Sequence, residues 1–478
     1  MNVLFLASEV APWSKTGGLA DVAAALPQAL AARGHRVTVI SPHYGSLDRR
    51  RFTTASTGAH ARVEVGEGPP VVFEIFEAAR DKVRWLFLHD PALFGRPGLY
   101  GEGGSDYPDN GLRFGAFCAG ALAAARQLGE RPHVVHANDW QTAPAVLLGA
   151  MAGPSGPRTV FTLHNLAFQG LFPRSVLRQL GWPESLFDWR NLEFYGQVSF
   201  LKAGLLHADA LTTVSPSYAD EICTPELGCG MDGVLRERRG RLRGILNGLD
   251  AFEWDPRRDP ALPAHYDADS LRGKERCKRA LQRELGLEAD ASAPLFVTVG
   301  RLVHQKGTDL LLGAVSDGFL SRAQLALLGT GDSALEARAH ELARAHPGRA
   351  AAVVGFDEAL AHRFEAGGDF FVMPSRFEPC GLNQMYSLRY GTPPVVRATG
   401  GLRDTVVDAG PELAAGTGFV FGPAEPAALR AALERAISAH GHPGALAGLR
   451  RRGMAEDNTW EASAARYEEL YRELGAAP

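Results

Sequence analysis

From the amino terminus onward, short apolar runs rich in β-branched residues alternate with stretches whose apolar positions recur every three to four residues. Residues 3–7 read as a strand, 20–33 as an amphipathic helix and 36–40 as a second strand, the signature of parallel strands joined by crossover helices. Further strands are predicted at 71–76, 83–89, 133–137, 159–164 and 210–214, several of them nearly continuous apolar runs, as strands covered on both faces require. Periodicity fades in NGLDAFEWDP, residues 247–256, and in the charged, turn-rich tract after it. A second series then begins, with strands predicted at 295–299, 324–328, 351–354, 370–373 and 394–396 and helical spacing in SALEARAHELARA, 333–345. Near the end, Trp460, Ala464, Tyr467, Tyr471 and Leu474 fall on one face of a closing helix. The pattern therefore predicts an α/β chain of two doubly wound domains with a boundary near residue 250. In open parallel sheets ligands lie beyond the carboxyl ends of strands, so two facing domains would form a cleft.

Composition narrows the function. The chain has 478 residues, and 50 Lys+Arg against 54 Asp+Glu leave a net charge of -4, which offers no electrostatic footprint for nucleic acid or an anionic membrane surface. An anionic ligand must be held locally. Cys118, Cys223, Cys229, Cys277 and Cys380 are scattered without a C-x-x-C pair, which argues against a zinc or redox motif and suits a reducing cytoplasm. MNVLFLASEV lacks a basic leader and meets Glu9 early, so it reads as a buried strand, and no apolar run reaches the ~18 residues of a membrane span. Lysine occurs only at 15, 82, 202, 274, 278 and 306 in an arginine-rich chain. A compact ammonium is not freely exchanged for a planar guanidinium, so each lysine merits inspection.

The loops after the strands carry the candidate chemistry. The first holds Lys15 with Gly17 and Gly18 before a helix, where backbone N–H groups can approach an anion closely. It matches neither the Walker pattern nor G-x-G-x-x-G. Arg301 and Lys306 follow the strand at 295–299, a fork and a point charge suited to a diphosphate. Lys278 lies in an arginine-rich helix and is a weaker signal. Glu378, set between Pro374 and Pro379 and followed by Cys380 and Gly381, can accept bonds from sugar hydroxyls, or can simply complement a helix dipole. Thr399, Gly400 and Gly401 supply another glycine pair suited to backbone donors for phosphate. Asp139 and His164 stand at strand ends, where each reads as a pocket residue or as a structural cap.

KTGGLAD, HANDW, HNLAFQGLFP, TVSPSYADEI, NGLD, GRLVHQKG and SRFEPCGLNQMYSLRYGTPPVVRATGGLRDTV, in this order between Lys15 and Val406, closely resemble bacterial glycogen synthases and plant starch synthases, glycosyltransferase family 5. The resemblance implies a GT-B architecture of two Rossmann-like domains facing a cleft, at 1–250 and 251–456, with a helix in 457–478 crossing back to the first. It implies retaining transfer of glucose from ADP-glucose to the non-reducing 4-hydroxyl of an α-1,4-glucan, without cofactor or metal, so that activity survives EDTA. Carried over by position, Lys15, Gly17, Gly18, Arg301 and Lys306 would contact the donor diphosphate, with Lys278 nearby. His164 would bond a glucose hydroxyl, Asp139 would orient sugar or acceptor, and Glu378 would hold the glucose ring with Cys380 and Gly381 alongside. Asn247 joins the donor set through NGLD, and Thr399, Gly400 and Gly401 would add phosphate contacts. Phe168 and Cys229 stand where tyrosine is common, which bears on acceptor preference. The Asp267-Ala268-Asp269 triplet falls in the turn-rich junction and is not read as a metal motif. With donor contacts split between domains, closure about 247–256 and the terminal helix is expected to complete the site, and deletion after Glu456 to impair it. A related enzyme using UDP-glucose or making maltose 1-phosphate or a disaccharide would share the fold, and a catalytically silent glucan-binding regulator is the non-enzyme alternative. The latter would be expected to lack Lys15, Lys306 or Glu378, and all three are present.

Overall fold

A computed structural model describes residues 1–47 and 52–476. The chain divides into two compact units, the first made of Met1–Val214, Ala219–Gly248 and the chain from Trp460, the second of Ser215–Tyr218 and Leu249–Thr459. Apart from the brief passage at Ser215–Tyr218, the chain thus enters the second unit after Gly248 and returns to the first at Trp460.

The first unit is built on a nine-stranded sheet. Its strands are β1 (Asn2–Leu6), β2 (Arg36–Pro42), β3 (Ala55–Val63), β4 (Val71–Arg80), β5 (Val83–His89), β6 (Val134–Asn138), β7 (Arg158–Leu163), β8 (Ala210–Thr213) and β9 (Leu242–Gly244), in the spatial order β9-β8-β7-β6-β1-β2-β5-β4-β3. Pairing is parallel from β9 to β5 and antiparallel at β4 and β3. Helix α1 (Gly18–Ala32) follows β1, and α2 (Asp139–Met151) follows β6. The central β1 is buried over Val3 to Leu6, as its unbroken apolar run requires.

The second unit holds a six-stranded, wholly parallel sheet, β10 (Leu295–Val299), β11 (Gln324–Gly329), β12 (Ala350–Val354), β13 (Phe370–Met373), β14 (Pro394–Arg397) and β15 (Phe419–Phe421), in the order β12-β11-β10-β13-β14-β15. Alternate residues feed two separate cores. Phe296, Leu325, Leu327, Phe370 and Val372 pack on one face, while Leu295, Val297, Ala326, Leu328, Phe371 and Met373 pack on the other. The helices that matter here are α3 (Arg272–Glu284), α4 (Thr308–Ala314), α5 (Glu358–Gly367), α6 (Asn383–Arg389) and α7 (Gly400–Thr405). Asp267 accepts from the N–H groups of Asp269 and Ser270, so the acidic triplet there is a turn.

The closing helix, α8 (Trp460–Glu473), belongs to the core of the first unit, where Trp460, Ala464, Tyr467 and Tyr471 pack with Val3, Phe5, Val22 and Leu26. Tyr471 Oη lies 2.7 Å from Nδ1 of buried His136 on β6, and Arg33 Nε donates to Glu468 at 2.6 Å. Residues 477 and 478 of the expected terminal segment lie outside the described residues. Among the described residues no helix is long and apolar enough to cross a membrane.

Candidate active site

In the first unit, the loop between β1 and α1 is folded on itself. Ser14 N–H donates to Val10 O (2.9 Å), and Val10 N–H donates to Ser14 Oγ (3.1 Å). Glu9, almost fully buried, accepts from Thr16 N–H (2.5 Å) and Thr16 Oγ1 (2.9 Å) and so fixes the chain just before the glycines. Lys15 reaches Asp21 at 2.7 Å, with both side chains well exposed. Such a pair contributes at most about 1 kcal/mol, so Lys15 can be redirected to an anion at little cost. A Cβ on Gly18 would meet nothing within 4 Å, and one on Gly17 only Glu9 Oε1 at 3.9 Å. Neither glycine is needed for internal packing, and the space they leave is open to a ligand.

The ends of β6 and β7 hold the remaining groups of this unit. Asp139 has φ 56°, an unusual conformation for a side chain other than glycine, and its Oδ1 accepts from His164 N–H at 2.7 Å. Asn138 Nδ2 donates to Leu6 O, which turns its Oδ1 toward His164 Nε2, 3.0 Å away. His164 is thereby the Nε2–H tautomer, with Nδ1 as an acceptor. Burial holds the His164 imidazole down to about 4, so it is neutral at ordinary pH. Burial pushes Glu9 up to about 7 against the bonds from Thr16, with the nearby Asp139 charge adding to the rise. Asp139 is likewise raised to about 7 by burial, opposed by the N–H groups of His164 and Asn165. Asn247 is buried, and its Oδ1 meets no donor.

In the second unit, β10 runs into Gly300, Arg301 and a short turn, His304–Lys306. Lys306 Nζ donates to Glu378 Oε2 at 2.6 Å, and Ser375 Oγ donates to the same oxygen at 2.9 Å. The turn is tied to the loop after β13, since Arg376 N–H donates to Gln305 O (2.8 Å) and the Arg376 guanidinium forks onto Asp309 of α4 (2.7 and 2.8 Å). Gly307, at φ 70°, lies so close to Pro374 O that a Cβ would come within 2.1 Å. Arg301 is exposed and makes a long contact, 3.4 Å, with Gln305. Glu378 is 5% exposed, and Ser215 Oγ supports its loop by donating to Pro379 O at 2.6 Å.

Two sequence expectations are corrected. Lys278 does not reach this loop cluster: on α3 it donates to Ala291 O and Ala293 O and pairs with Asp369 at 2.6 Å. Those partners precede β10 and β13, so Lys278 lies at the opposite, amino end of the sheet. Thr399 and Gly401 do not offer free backbone donors to phosphate, because Thr399 N–H donates to Arg397 O and Gly401 N–H to Glu378 O. Gly400 and Gly401 are glycines because a Cβ would meet Glu378 O at 2.0 Å and Cys380 O at 1.9 Å, so this pair seats the Glu378 loop. Gly381, at φ 73°, packs on Gln384, and Cys380 is buried beside it. Glu9, Asn138, Ser215 and Ser375 are polar residues of these loops that sequence reasoning passed over. Phe168 and Cys229 are both exposed, with Gln169 Nε2 donating to Cys229 O.

Residues 2–237 match the starch synthase catalytic domain, and 286–447 match the glycosyl transferases group 1 family. The chain is 54% identical over 482 residues to a glycogen synthase of Anaeromyxobacter dehalogenans (strain 2CP-C), covering 99% of this chain and 100% of that one. It belongs to the glycogen and starch synthase family. A glycogen synthase of Myxococcus xanthus is 49% identical, with both chains covered in full. The fold superposes on the catalytic domain of starch synthase IV from Arabidopsis thaliana, bound to ADP and acarbose, with TM-score 0.90 and 32% identity over 99% of each chain. Sucrose-phosphate synthase from Thermosynechococcus elongatus shares the fold alone, at TM-score 0.60 and 20% identity. The two doubly wound units are those of a GT-B glycosyltransferase, and the protein is an enzyme of that class.

Proposed function

We propose that the protein transfers glucose from ADP-glucose to the non-reducing end of an α-1,4-glucan such as glycogen, with retention, in the cytoplasm. The observation that carries this reading is the join of β10 and β13 loops, where Lys306 sits on Glu378 and Arg301 stands exposed beside them. Cleavage of a nucleotide-sugar bond develops negative charge on the departing phosphate, and preorganised donors act where that charge appears, each supplying ~2.7 to 4 kcal/mol in comparable oxyanion sites. Arg301 and Lys306 serve the phosphates from the second unit. Lys15, Gly17 and Gly18 do so from the first, where the open glycine positions favour close approach of an anion. Glu378 accepts bonds from glucose hydroxyls, with Cys380, Gly381 and the packed turn of Thr399, Gly400 and Gly401 holding its loop. Neutral His164 accepts a hydrogen bond from a glucose hydroxyl at Nδ1, Asp139 positions the His164 loop, and Asn247 Oδ1 accepts from the donor.

The C1–O bond to phosphate breaks as the acceptor 4-hydroxyl attacks C1 from the same face, and its proton passes to the departing phosphate oxygen. The solved relative was bound to ADP, which supports an adenine nucleotide as leaving group. Radiolabel transfer to glycogen tests the reading: ADP-glucose is expected to turn over far faster than UDP-glucose, with label released by an exo-acting amylase specific for α-1,4 linkages. Equal or faster use of UDP-glucose would overturn the donor assignment.

A further inference from the structure

The side chains of Glu253, Glu358 and His362 bring one ligand atom each to within 4.8 Å of one another on the second unit. Glu358 and His362 stand one turn apart on α5, so both project from the same helix face. Glu253 comes from a turn that Asp250 holds by accepting the N–H groups of Phe252 and Glu253. The following residue, Trp254, anchors this turn by stacking on His362 (3.8 Å, 13°) and on Tyr386 of α6 (3.7 Å, 4°).

His362 is 7% exposed, and its Nδ1 lies 2.7 Å from Oδ2 of buried Asp259. Tyr390 Oη donates to that same oxygen at 2.5 Å. A carboxylate accepts, so Nδ1 carries the proton, and Nε2 is left with its lone pair as the ring's ligand atom. Carboxylate, histidine and then metal is the arrangement that orients imidazole ligands in metal sites. Glu253 and Glu358 are both exposed. One imidazole with two carboxylates suits a borderline divalent ion better than magnesium or calcium, which take oxygen alone.

We propose that Glu253, Glu358 and His362 bind one zinc ion, with water at the remaining position, as a clip that fastens the 250–254 turn to α5. The ion takes no part in glucosyl transfer. Titrating chelator-stripped full-length protein with Zn²⁺ by calorimetry is expected to show one site that Glu253→Gln and Glu358→Gln each weaken at least about tenfold (~1.4 kcal/mol). The double variant should lose it. Neither glutamine removes the buried Asp259–His362–Tyr390 contacts, so both variants are expected to fold. Co²⁺ is expected to give visible ligand-field bands in the wild type and not in the double variant. Saturating Zn²⁺ should raise the Tm of the wild type alone. Absence of stoichiometric binding, or equal affinity in the double variant, would overturn the proposal.

Discussion

At the residue scale, the lysines show what a sequence can and cannot disclose. Lys82 lies exposed in a turn, and the other five fall into two kinds. Lys202, Lys274 and Lys278 are buried, and each gives its ammonium to two or more main-chain carbonyls, a rosette of acceptors that a planar fork does not match. Lys15 and Lys306 instead stand on the loops after β1 and β10, and nothing in the sequence around Lys278 separates the two kinds. Lys306→Ala strands a carboxylate that is 5% exposed, so it is expected to cost about 1–3 kcal/mol of stability as well as ~10²–10³ in kcat. Adding Glu378→Gln should return most of the Tm and none of the turnover, which thermal melts and kinetics of the two variants would check. Recovery of activity in the double variant would mean that Lys306 acts only by neutralising Glu378. Glu9 makes a second prediction. Raised from 4.5 to about 7 by burial, it holds more protons when folded than unfolded between those values, so its contribution to stability is present at low pH and is lost as pH rises through about 7. Glu9→Gln keeps an acceptor for Thr16. It should therefore raise Tm at about pH 8, leave it nearly unchanged below about pH 5, and flatten the slope between. A variant equally destabilised at both pH values would show that the carboxylate bonds to Thr16 outweigh burial.

At the element scale, strands with an unbroken apolar run were legible, since β1, β10 and β13 are covered on both faces. β3 was not, because ASTGAHARV at the antiparallel edge is small, polar and half-exposed and carries little period-two contrast. β9 and β15, three residues each, are too short to show periodicity. The loops after β1 and β14 stand out in the sequence by their glycine pairs, but what each glycine does was not legible. Gly17-Gly18 and Gly400-Gly401 look alike as sequence and both stand at a helix start, yet the first pair faces open space and the second is pressed against main-chain carbonyls. Gly18→Ala is accordingly expected to leave stability unchanged or raise it, by up to about 1 kcal/mol from helix propensity, while weakening ADP binding about tenfold. Gly401→Ala is expected to cost about 1–3 kcal/mol by overpacking. Differential scanning and ADP titration of the two variants give opposite patterns, and a Gly18→Ala protein with unchanged ADP affinity would remove that loop from the donor site.

At the scale of the whole molecule, the decisive feature is that the first unit is not contiguous. The periodicity of 460–474 announced a closing helix, but its role follows from what it packs against. Tyr471 meets His136 across 335 positions of sequence, and Glu468 meets Arg33 across 435. Trp460, Tyr467 and Tyr471 complete a core begun by Val3 and Phe5. Deletion after Glu456, expected from sequence to disturb a hinge, therefore removes part of a core. The second unit takes only the short Ser215–Tyr218 segment from elsewhere, and among the described residues the apolar clusters given above for it draw on positions between Leu249 and Thr459. Contacts of such long sequence separation carry a large loop-closure cost before they stabilise anything, so the two units should behave differently as fragments. Residues 249–459 expressed alone are expected to melt in one cooperative transition. Residues 1–248 alone should expose apolar surface and melt broadly, and joining 457–476 to them through a flexible linker should restore a sharp transition. Circular dichroism melts and dye binding on the three fragments would check this. A sharp transition for 1–248 without its terminal helix would show that α8 only decorates the first unit, and the effect of its deletion on activity would then have to come from the connection rather than the core.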